Sequence, residues 1–159
     1  MAAQLARRAQ SANPTDPRID AVLGRVALNT GDIKRALPLL QSSVQSLTNN
    51  PVVWYELARA EFASGNLSPA LAAADAVVAL HPPNALATNA RELADWIRLA
   101  RNPAAALAAV AKMEAALKTA PDNLAARYAH AVALTAAKKA PEARDLLEAI
   151  RKSNPDFLI

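Results

Sequence analysis

Apolar residues return along this chain at helical spacing, in short blocks interrupted by a turn or a proline. The block PVVWYELARAEFASGNLSPALAAADAVVALHPPN, Pro51 to Asn84, shows the pattern most clearly. Trp54, Leu57 and Ala58 fall on one helical face. A turn follows at Gly65-Asn66, and Ala70, Ala74 and Val77 form the face of a second helix that stops at Pro82. Pro17 to Asn50 repeats this order with Asp20, Leu23, Gly24 and Ala27, a turn at Gly31-Asp32, then Ala36, Leu40 and Ser43. Gly31 and Gly65 hold the same place in the two blocks, as do Asp32 and Asn66. Glycine frees the backbone for the turn, and Asp or Asn is suited to cap the helix that follows. Leu124 to Phe157 carries Tyr128, Ala131 and Leu134 on its first helix and Ala143, Leu147 and Ile150 on its second. Its turn is Lys138-Lys139, Pro141 suits the first turn of the second helix, and Pro155 ends it.

One alanine column runs through these blocks. Ala2, Ala36, Ala70, Ala109 and Ala143 recur at intervals of 34, 34, 39 and 34. A period near 34 marks helix–turn–helix units, each of which buries its apolar face only against the next. The predicted fold is therefore all-α: one array, residues 1–159, of antiparallel helix pairs with about nine helices. Its units are 17–50, 51–84, an elongated irregular 85–123 and 124–157, preceded at 2–14 by a half unit holding a second helix alone. The irregular unit has a long first helix, Ala85 to Ala100, facing inward with Leu93, Trp96, Ile97 and Ala100. Its second helix opens at Asn102-Pro103 and carries Ala109, Met113 and Ala116. Five extra residues exceed one helical turn and predict a local break in the stacking. Pro38 lies inside the second helix of unit 17–50, so that helix either starts late or kinks. Ala2 to Ala9, closed by Asn13-Pro14, and Phe157-Leu158-Ile159 read as cuts through a longer array. Apolar ends of this kind would favour head-to-tail self-association.

Composition agrees with short helices packed through small side chains. The chain is 53% hydrophobic but 4% aromatic, with 3 Gly and 11 Pro, and roughly a quarter of it is Ala. There is no Cys, which excludes disulfides, thiolate metal sites and a Cys nucleophile. The net charge is +4, and no run of Lys or Arg exceeds two residues. That distribution, with few aromatics, argues against nucleic acid as a partner. The N-terminal MAAQLARRAQSANP has no uninterrupted apolar stretch, so no signal peptide is read there, and no segment has the length and apolarity of a membrane span.

The unit pattern resembles the tetratricopeptide repeat family. Trp54, Leu57 and Ala58 match the start of that family's motif, with Glu61 where Tyr is usual. Ala70, Ala74 and Pro82 match its second half without the aromatic; Ala36 and Leu40, then Ala143, Leu147 and Pro155, repeat it. The resemblance implies a right-handed superhelix whose concave face, lined by the first helix of each unit, docks a peptide or a protein segment. One subset of the family clamps acidic C-terminal tails with a Lys and Asn set. The matching columns here hold Ala21, Arg25, Glu56 and Arg91, so that clamp is not expected. The long third unit followed by PDNLAARY is also similar to the repeat region of bacterial thioredoxin-like co-chaperones. The interrupted array is similar to periplasmic domains of cytochrome c maturation factors. These narrower resemblances would place the chain in a bacterial cytoplasm or periplasm and leave the compartment open.

If first helices line a groove, Arg25, Arg59 and Arg98 form one column, at intervals of 34 and then 39. Arg18 and Arg91 lie about two turns earlier, and Tyr55 and Phe62 flank the column. This set predicts a basic, partly aromatic groove for an acidic or C-terminal peptide, since guanidinium binds carboxylate bidentately. A second reading stays open. Glu56 with Arg59, Asp95 with Arg98, and Arg91 with Asp95 have the spacing of ion pairs on a solvated face. Trp54 and Trp96 read as core. His81 sits at a helix end, and His130 occupies the column of Leu23 and Leu57, which predicts a buried neutral imidazole. No phosphate loop, zinc motif or catalytic constellation is present, so no enzyme activity, cofactor or metal is expected.

Overall fold

The computed structural model describes residue 13 and residues 16–155. These form nine helices: α1 (Pro17–Asn29), α2 (Ile33–Ser46), α3 (Pro51–Ala63), α4 (Leu67–Ala79), α5 (Asn84–Ala100), α6 (Pro103–Ala108), α7 (Val110–Thr119), α8 (Leu124–Ala136) and α9 (Ala140–Ser153). No strand occurs among the described residues. The half unit expected at 2–14 lies almost wholly outside the described residues, as do Phe157-Leu158-Ile159 and any contact between chain ends. Nine was also the expected helix number, but the ninth described helix has a different origin. The second helix predicted for the irregular unit is two helices, α6 and α7, parted at Ala109 (φ −100°, ψ 9°).

Helix starts follow local chemistry. Asp16, Asp32, Asn50, Asn102 and Asn123 each accept a backbone N–H from the first turn of the next helix. Asn66, expected to cap α4 as Asp32 caps α2, makes no such bond. Its amide donates instead to Glu61 Oε2 at 2.8 Å. Prolines 17, 51 and 103 sit in first turns, where a missing N–H costs nothing. Gly31 (φ 81°), Gly65 (φ 77°) and Lys138 (φ 60°) carry left-handed turns between paired helices, and a Cβ on Gly31 would meet open space. Helix α2 begins on time at its Asp32 cap, so the late-start alternative falls; Pro38 is carried inside it at an exposed position.

Paired helices touch through the small residues of the alanine column. Ala36 and Ala70 are fully buried, and Ala143 is 4% exposed. In the irregular unit the fully buried position is Ala106; Ala109, at the break, is only half-buried. Two apolar clusters result. The first joins α1 to α4 around Leu40, Val44, Val53, Leu57 and Ala74, with Ala94 of α5. The second joins α3 and α5 to the last unit around Phe62, Trp96, Ile97, Met113, Ala129 and Ile150. Leu71, Leu93 and Leu124 touch both, so the core runs on without a gap. Ser43 is fully buried and satisfied: its hydroxyl bonds the Leu39 and Pro17 carbonyls. Helix α6 packs against α8 as α2 does against α3 and α4 against α5, and α5 also packs directly on α8.

Candidate partner-docking groove

First helices of all four units open onto one cleft of about 540 Å³. Helix α1 contributes Leu28; α3 contributes Tyr55, Arg59 and Phe62; α5 contributes Asn89, Glu92, Leu93 and Trp96; α8 contributes Leu124 and Ala125. Residues Ala120 to Asn123, between α7 and α8, and Ser153 to Pro155, at the end of α9, also line it. Tyr55 and Asn89 are one regular period apart, as are Arg59 and Leu93, and Phe62 and Trp96. The groove therefore keeps the regular period through the unit whose alanine column departs from it. Helix α5 starts in register, and its extra residues come beyond the groove-lining stretch.

The cleft's polar groups are held in place. Arg59 Nη1 pairs with Glu56 Oε2 at 3.0 Å. Burial raises the Glu56 carboxyl above its ordinary pKa, and the nearby Arg59 and Arg25 partly offset this. Burial likewise raises the Tyr55 phenol, with Arg59 lowering it and Glu56 and Glu92 adding to the rise. Glu92 Oε1 accepts from the Trp96 indole N–H at 3.2 Å and from Asn123 Nδ2 at 3.4 Å. Trp96 is only 2% exposed, so it serves both the core, as expected, and the groove wall. Lys112 places its ammonium 5.3 Å from the Trp96 ring centre without lining the cleft. Trp54 is half-buried against the first cluster, its indole N–H bonded to the Thr48 carbonyl.

The seven residues singled out in the sequence separate in space. Tyr55, Arg59 and Phe62 line the cleft; Arg18 and Arg25 line a smaller depression of about 210 Å³ between α1 and α3. Arg91 and Arg98 line neither. Arg98 instead pairs with Asp75 at 2.6 Å and Asp95 at 3.3 Å, binding α5 to α4. Its longer interval from Arg59 is the reason. Five residues beyond a whole period rotate a helix position by about 140° at 100° per residue. Arg18 is held by Asp16 at 2.7 Å. Of the three local pairs read from spacing, those of Arg59 and Arg98 form; Asp95 engages Arg98 and leaves Arg91 without an ion pair among the described residues. Asn89 and Glu92 carried no signal in an alanine-based count; one regular period from Tyr55 and Phe62 reaches Asn89 and Trp96 directly.

His81 takes a left-handed conformation (φ 50°) just beyond α4 and donates its N–H to the Val78 carbonyl. His130 is half-buried instead of fully enclosed. A second, more apolar cleft of about 670 Å³ lies over α8 and α9, floored by Tyr128, Val132 and Leu147. When the unit starting at Leu124 is laid on the unit starting at Pro51, Leu147 and Glu148 correspond to Ala74 and Asp75. That earlier face is covered by α5, with Ala74 fully buried and Asp75 bound to Arg98. The α8–α9 surface is thus a stacking face in kind, and the cleft among first helices is the better candidate for a partner. Among the described residues, no helix is long and apolar enough to cross a membrane.

The tetratricopeptide repeat profile matches residues 27–93 and 99–158. No curated protein matches the chain. The matched stretches leave out residues 94–98 of α5, a segment at the far end of the groove-lining stretch. With most of its length matched and its helices paired and stacked as described, the chain belongs to the tetratricopeptide repeat family, whose repeats are non-enzymatic modules of protein–protein interaction.

Proposed function

We propose that this chain is an interaction scaffold that docks a protein segment in the cleft formed by its first helices. The observation that carries the reading is the convergence of Tyr55, Phe62 and Trp96 with Arg59, Asn89 and Asn123 on one concavity reached by all four units. Aromatic rings supply apolar contact at low entropic cost, and amides and a guanidinium supply directional bonds to an extended backbone. The depression holding Arg18 and Arg25 is smaller and has no aromatic lining, and Arg98 is engaged in tying α4 to α5.

Panning a random 12-residue peptide library on the chain provides probes. Selected peptides should bind about tenfold more weakly to Tyr55→Ala and Arg59→Ala, on the scale of a lost interface anchor. They should bind Arg91→Ala and Arg98→Ala within about twofold of the parent. Peptides that ignore the first pair of substitutions and lose affinity with the second would move the site away from this cleft.

A further inference from the structure

Charge within the cleft does not match an acidic occupant. Among the described residues its lining holds one cation, Arg59, which Glu56 already engages at 3.0 Å. Against it stand two carboxylates, Glu92 and Asp122, neither of which has an ion pair among the described residues. Glu92 is oriented: Trp96 and Asn123 both donate to Oε1, which leaves Oε2 with no hydrogen bond from the described residues. That carboxylate acts on the half-buried Tyr55 phenol, which lines the same cleft. Lys112, whose ammonium lies 5.3 Å from the Trp96 ring centre, does not line the cleft. A preset carboxylate near the Tyr55 ring favours an ammonium or guanidinium, whose stem can lie on that ring while its head meets the acid.

We infer that the cleft selects an extended peptide segment bearing a Lys or Arg side chain that pairs with Glu92, in place of the acidic segment that the arginine spacing predicts. This rests on the docking reading above and assigns the chemistry of the docked segment. Repulsion among like charges would disfavour a Glu-rich segment at the same place. Glu92 is exposed at the cleft wall, so its substitution should leave folding intact, which circular dichroism and the melting midpoint would verify.

The test is to pan the same random 12-residue library on the parent chain and on Glu92→Lys. Parent-selected peptides should be enriched in Lys or Arg, and Glu92→Lys should bind them about tenfold more weakly while enriching Asp or Glu. Replacing the central basic residue of a selected peptide by Met should remove most of that difference, and the loss should shrink in high salt. Parent-selected peptides that are acidic or uncharged, yet still need Tyr55 and Arg59, would overturn the inference and leave the docking reading standing. Peptides indifferent to Tyr55 and Arg59, or no enrichment at all, would remove both.

Discussion

Gly24 and Leu40 hold in the first full unit the places that Ala58 and Ala74, both fully buried in the same cluster, hold one period later. A Cβ on Gly24 would come within 2.7 Å of Leu40 Cγ and 3.3 Å of Leu39 Cβ, so small and large residues trade places across the helix pair. Gly24→Ala should therefore cost about 1–3 kcal/mol through overpacking. Leu40→Ala should cost less on the Gly24→Ala background than alone, because the added methyl fills part of the space it leaves and the next unit holds Ala at both places. Denaturant unfolding of the two single variants and the double variant measures the coupling; simple additivity would contradict the account. Lys138 offers the reverse case. It holds a left-handed turn (φ 60°) where the equivalent turns use Gly31 and Gly65. Lys138→Gly should raise stability by about 1 kcal/mol by relieving that conformation, and a lower melting midpoint would count against it. The turn position was legible because the repeat aligns Lys138 with the glycines. Ala106 as the buried contact was not, since the break at Ala109 that shifts the column has no proline or glycine to announce it.

At the level of helices, Glu61 fastens three elements although the family motif places Tyr at that position. It is 5% exposed on α3, accepting from Gln41 Nε2 of α2 and from Asn66 Nδ2 of the following turn, each at 2.8 Å. Glu61→Ala would leave both amides without their acceptor and should cost about 1–3 kcal/mol. Glu61→Gln should cost less, since the partner amides can turn over; equal losses would speak against this network. It also explains why Asn66 does not cap α4. Position and periodicity alone could not reveal that, because capping and the bond to Glu61 compete for one side chain. Glu56, on the same helix, bears on pH. Its carboxyl sits above the ordinary range chiefly because it is buried. The folded chain thus holds that proton more tightly than the unfolded chain, and this contribution to stability is lost as pH rises through the raised pKa. Glu56→Gln should remove that component, so the variant should gain on the parent from acid towards neutral pH in urea unfolding. A constant difference across the range would show that the shift has no energetic consequence.

Across the whole molecule, two registers coexist. The alanine column records how helices pair within units and shifts in the third unit, where Ala106 takes the buried place in front of the break at Ala109; the groove records how first helices line up and keeps the regular period through α5. The repeat architecture was legible because burial of small residues leaves a periodic trace. In α3 the sequence grouped Tyr55, Arg59 and Phe62, and all three line the cleft. In α5 the alanine spacing led to Arg98, about 140° around the helix from the place one period after Arg59, and Arg98 does not line the cleft. The charge of the cleft was hidden for a related reason: Glu92 and Asp122 come onto one cleft with Arg59 only once helices from different units face one another. The most direct test of the central claim is amide and indole chemical-shift mapping of a library-selected peptide on the isotope-labelled chain. The account predicts that the largest changes fall on the Trp96 indole N–H, the Asn89 and Asn123 side-chain amides and the Tyr55 region. Changes concentrated instead on Tyr128, Val132 and Leu147, over α8 and α9, would contradict it.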